Sequence, residues 1–134
     1  MTLVMSKFKK AHLTDISRGI ELYNQGKFWE CHEELEDPWM EEAHDNVRYI
    51  YWAIIQVATA LYHKEGENIL GAEGMWKKAK HKLIKCEEYE VETPFLNHNL
   101  SWNRFKKLVR NIPDKPTLKD FNELHTFKFK KVEK

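Results

Sequence analysis

Five side chains whose types could do chemistry together recur at helical spacing in two stretches of the chain. His32 and Glu36 stand one turn apart in FWECHEELEDPW, and Arg48, Gln56 and His63 recur along DNVRYIYWAIIQVATALYHK. At about 100° per residue, Arg48, Thr59, Trp52, His63 and Gln56 fall within an arc of roughly 80° on one helix. An imidazole and a carboxylate four residues apart point the same way. If the two faces meet, five polar groups share one apolar enclosure. Each must then be paired, because an unpaired buried polar group costs roughly 1–3 kcal/mol and an unpaired charge more. The pattern predicts hydrogen bonds of Arg48 with Glu36 and of His32 or His63 with Gln56.

Such a cluster supports three chemistries. The plainest is a structural network of His32, Glu36, Arg48, Gln56 and His63 that fixes helix register. The second is a divalent metal, with His32 and Glu36 as ligands on one turn, His63 as a third, and Glu33 or water completing the shell. A metal-dependent hydrolase would then use Glu33 as general base. HEELE is not the H-E-x-x-H of zinc proteases, since Glu36 stands where the second histidine would be. The third is a small-molecule pocket lined by Trp29, Trp39, Trp52 and Tyr62, in which Arg48 and His63 orient an anionic group. Nucleophilic catalysis is disfavoured. Cys31 precedes His32 directly, and adjacent helical residues point about 100° apart. There is no Walker loop, G-x-G-x-x-G or nucleophile elbow.

Bulk properties narrow the class. The chain has 134 residues, enough for one domain with a real core, and 13% are aromatic, which opposes disorder. Five glycines and four prolines indicate long regular elements. The net charge of +1 nominates no partner. Its distribution is uneven: Glu21 to Asp45 holds nine acids and one base, whereas Lys77 to Lys134 holds fifteen bases and eight acids. Nucleic-acid binding through the basic half is therefore an alternative, disfavoured because no recognition motif accompanies it. Two cysteines without a disulfide framework, and an N-terminus without an apolar signal region, fit a reducing cytoplasm. The run Tyr49–Tyr62 spans about 21 Å as helix, short of the ~30 Å hydrocarbon core. No membrane is expected.

The elements that must position these residues are helical. After a lead-in over 1–12, Thr14 or Asp15 can cap a first helix to about Asn24, and Gly26 supplies a left-handed turn. A second helix starts near Lys27 and either ends near Asp37 or kinks at Pro38 before a last turn through Glu42. Asp45 caps the central helix, which is apolar on nearly every side and so belongs inside a bundle. Asn68 caps a fourth helix, Ile69 to about Tyr89, with Ile69, Ala72, Trp76, Ala79 and Leu83 inward and Lys77, Lys78, Lys80, Lys82 and Lys85 outward. Residues 89–99 read as a loop. A fifth helix, Leu100 to Asn111, buries Trp102, Phe105, Leu108 and Val109. Thr117 with Asp120 can open a short turn, and the alternating Phe127 and Phe129 suit an extended tail packed on the bundle or on another subunit. The expected architecture is an all-α single domain: a bundle of about five helices over 13–112 and a C-terminal extension over 113–134. A homodimer would give any exposed apolar patch its cover.

The quoted segments also resemble a known family. FWECHEELEDPW preceded by LYNQGK, the central RYIYWAIIQVATALYHKEGEN and the following GAEGMWKKA are similar to the bacterial and archaeal domain-of-unknown-function family 309. Matching positions include Asn24, Gly26, His32, Glu33, Glu36, Trp39, Arg48, Gln56, His63, Asn68 and Gly71. The resemblance implies an all-helical single-domain bundle and a prokaryotic source, and supplies no substrate.

Overall fold

The computed structural model describes residues 6–132, so expectations for residues 1–5, Glu133 and Lys134 lie outside the described residues. Among them are seven α-helices, one 3₁₀ turn and no β-strand. Helix α1 (Lys10–Asn24) buries Ile16, Ile20 and Tyr23. It begins earlier than a cap at Thr14 or Asp15 would allow, because His12 folds back and its Nδ1 accepts the Lys9 backbone N–H at 3.0 Å. Phe8 and His12, expected in a variable lead-in, are both buried. Gly26 turns the chain with φ of 75°, the left-handed conformation expected of it.

Helix α2 (Phe28–Glu41) continues past Pro38. The Pro38 carbonyl still accepts the Glu42 N–H at 3.2 Å, so the proline costs one hydrogen bond and does not end the helix. Helix α3 (Arg48–Glu65) is the centre. Every residue from Ala53 to Leu61 is buried, which is why its sequence is apolar all round. Asp45 Oδ1 accepts the N–H groups of Val47 and Ser6, both at 3.0 Å, and fixes the entry to it. Helix α4 (Ile69–Glu88) starts at Asn68, whose Oδ1 accepts the Gly71 N–H at 3.0 Å.

α2 and α4 both run antiparallel to α3. On one side, Trp29 meets Tyr62 and Trp39 meets Trp52, with ring centroids 5.0 and 5.1 Å apart. On the other side, Lys82 lies on Trp52 while Gly71 lies under His63. The backbone approach at Gly71 is close: a Cβ there would stand 2.7 Å from both His63 Cγ and Asn68 Nδ2.

The segment read as a loop contains a helix, α5 (Pro94–Leu100). Thr93 Oγ1 accepts the Leu96 N–H at 3.1 Å and Pro94 takes the first helical position, where its missing N–H costs nothing. Helix α6 (Trp102–Arg110) follows, then a 3₁₀ turn (Leu118–Phe121) opened by the Thr117–Asp120 capping box, then α7 (Asn122–Thr126). The extended tail packs on its own bundle. Phe129 is buried beside Tyr23 and Phe105, and its backbone N–H and C=O both bond to the Asn24 side chain at 2.8 and 2.7 Å. Among the described residues, no helix is long and apolar enough to cross a membrane.

Two glycines of α4 should answer in opposite directions to alanine. Gly71→Ala crowds His63 and should lower stability by about 1–3 kcal/mol. Gly74→Ala meets nothing within 4 Å and should raise it by about 0.5–1 kcal/mol. Urea denaturation of both variants checks the pair, and equal shifts would contradict the close α3–α4 approach.

Candidate functional site

A cavity of about 390 Å³ opens between α2, α3 and α4. Its walls are His32, Glu36, Trp39 and Met40 from α2, Trp52, Ile55, Gln56 and Thr59 from α3, and Met75 from α4. On α2 and α3 the residues recur at three- and four-residue steps, so each of these helices gives one stripe, and α4 adds Met75 alone. His32 Nε2 lies 3.0 Å from Glu36 Oε1, with the Glu36 side chain half exposed at the mouth. That contact places an N–H on Nε2, and the other ring nitrogen, Nδ1, is buried without a partner in the protein.

Two further buried polar atoms of the wall lack partners: Trp39 Nε1, a donor, and Gln56 Oε1, an acceptor. Gln56 is only 6% exposed. Thr59 behaves differently, since its hydroxyl donates to the Ile55 carbonyl at 2.9 Å. Its donor is used within the helix.

Beside the cavity sit two cations. The Arg48 guanidinium lies 4.3 Å from the Trp39 ring centroid and 5.1 Å from that of Trp52, and Lys82 Nζ lies 4.3 Å from that of Trp52. Arg48 Nη1 donates to the Ala43 carbonyl at 3.3 Å, while its Nε is buried without a partner. Neither cation has a carboxylate oxygen within 4 Å among the described residues. Burial pulls both pKa values below their ordinary range, and Lys78 adds to the effect at Lys82.

The expected cluster is therefore divided. Arg48 does not pair with Glu36, whose carboxylate is taken by His32, and rests instead on two indoles. Neither histidine bonds Gln56. His63 lies outside the cavity walls, packed over Gly71 with its Nδ1 3.4 Å from Asn68 Nδ2. Glu33 is exposed and lines no part of the cavity. Among the described residues no three His, Cys, Asp or Glu side chains converge to hold a metal ion, so His32, Glu36 and His63 do not form the expected ligand set. Of the four aromatics expected to line a pocket, Trp39 and Trp52 do, whereas Trp29 and Tyr62 pack against each other in a tilted pair at the surface. Lys82, read as an outward lysine, is 9% exposed. Its signal was available: it stands seven residues after Met75, on the same face of α4.

Residues 16–75 match the family described as Domain of unknown function (DUF309). Over that span the chain is similar to this family. All nine cavity residues fall inside that span, and Lys82 falls after it. The chain is also similar to the uncharacterized protein YpuF of Bacillus subtilis (strain 168), with 31% identity over 94 residues. That alignment covers 69% of this chain and 51% of YpuF, so the chain spans about half the length of this relative. No solved structure gives a significant match.

Cys31, beside His32 in sequence, is fully buried on the core side of α2, and burial pushes its thiol up to about 12. Cys86 is also buried and shifted in the same direction for the same reason. A thiol with a raised pKa stays protonated and unreactive at neutral pH. A disulfide-exchange reagent at pH 8 should therefore count no thiols in the native protein and both after unfolding in guanidinium.

Proposed function

We propose that this chain is a binding module for a small organic molecule held between α2, α3 and α4. The observation that carries the proposal is the Gln56 amide: its oxygen is buried in the wall of a largely apolar cavity and no group of the protein itself bonds to it. An unpaired buried acceptor costs roughly 1–3 kcal/mol, and the neighbouring Trp39 Nε1 and His32 Nδ1 are in the same condition. A ligand with a donor for Gln56 and an acceptor for Trp39 relieves that cost. Size and lining suit the role, since ligand pockets are typically about 300–1,000 Å³, mostly apolar, with a few placed polar groups. Met40 and Met75 supply adaptable walls. His32, held by Glu36, adds an oriented ring nitrogen.

Binding is favoured over metal-dependent hydrolysis because the residues such an enzyme would need lie apart: His63 packs at the α3–α4 turn and Glu33 faces solvent. The proposal is tested by titrating ¹⁵N-labelled protein with naphthalene-2-carboxamide. The indole N–H signals of Trp39 and Trp52 should move, while that of Trp76, already bonded to the Val109 carbonyl at 2.8 Å, should not. No movement at millimolar probe, or equal movement of all five indoles, would overturn it.

A further inference from the structure

We infer that the ligand of this pocket is anionic: a flat, largely apolar molecule with one carboxylate-type group directed toward Arg48 and Lys82. This rests on the pocket reading above and adds the ligand's charge to it. The antiparallel register supplies the placement. Lys82 stands opposite Trp52, and Arg48 is one turn before Trp52 on α3, so both cations lie toward the same end of the groove. At the other end, His63 stands over Gly71.

Charge then decides the class. Glu36 is the one acid in the cavity wall; it is half exposed and its Oε1 is engaged by His32. Arg48 and Lys82 are less exposed and carry no ion-pair partner among the described residues. The indole faces stabilise them in part, but two cations held against one ring without a counter-charge leave that end of the groove positive. The orphaned Arg48 Nε–H adds an unused donor there. A cationic ligand would compete with Arg48 and Lys82 for the same rings. A neutral one would leave their charge uncompensated. An anion supplies both the missing charge and an acceptor.

Three probes of one shape, each with a hydroxyl that can donate to Gln56, separate the possibilities: 6-hydroxy-2-naphthoate, 6-hydroxynaphthalene-2-carboxamide and (6-hydroxynaphthalen-2-yl)methylammonium, each titrated by NMR. Naphthoate should bind about tenfold more tightly than the carboxamide, equivalent to about 1.4 kcal/mol, and the ammonium should bind most weakly. Lys82→Met should remove most of the advantage of naphthoate over the carboxamide, and Lys82→Arg should restore it. If the carboxamide binds as well as naphthoate, or the advantage survives Lys82→Met intact, the charge assignment is overturned and the pocket stands. If none of the three binds, the pocket falls and the charge assignment with it.

Discussion

The structure depends on the enclosure of α3, a helix left with almost no face in water. Packing it between α2 and α4 removes its apolar side chains from solvent and supplies the main stabilisation of the domain. The same enclosure makes every polar atom on α3 costly unless it finds a partner. Thr59 finds one in its own helix, and Arg48, at the end of the helix, rests its guanidinium on the Trp39 and Trp52 rings. Gln56, near the middle, finds none.

The cavity follows from how the two neighbours meet this helix. α4 approaches through Ala72, Ala79 and Gly71, so the two backbones lie close and side chains such as His63 cover the contact. α2 meets α3 through two bulky aromatic pairs near its ends, Trp29 with Tyr62 and Trp39 with Trp52. Between these pillars the side chains of His32, Ile55, Gln56 and Thr59 leave the space unfilled. The cleft opens at Glu36 and Met40, and its buried wall carries polar atoms that no group of the protein engages. The proposed binding role rests on that combination.

Much of the fold was legible in sequence because it rests on periodicity and end signals. The all-round apolar run marked α3, Asn68 and Gly26 marked turns, and the i,i+4 spacing brought His32 and Glu36 into contact. The site was less legible, and for physical reasons. Helical spacing puts Arg48 and Glu36 on facing stripes without fixing which groups reach one another: the Trp39 and Trp52 rings hold the guanidinium, and His32 engages the carboxylate. His63 shares the angular stripe of Gln56 but sits almost two turns further along α3, at the α3–α4 turn, where angular position says nothing about reach. Lys82 was hidden among surface lysines, and only its register with Met75 and Ala79 distinguishes it. α5 was missed because Thr93-Pro94 reads equally well as a loop and as a capped helix start.

The central claim is that Gln56 is kept at a cost to stability because a ligand, and not the fold, uses it. Equilibrium urea unfolding of Gln56→Leu tests this most directly. Leucine keeps the apolar bulk and removes the unpaired amide, so the account predicts a gain of about 1 kcal/mol in the absence of ligand. A loss of 1 kcal/mol or more would mean that the Gln56 amide supports the folded structure, and would contradict it.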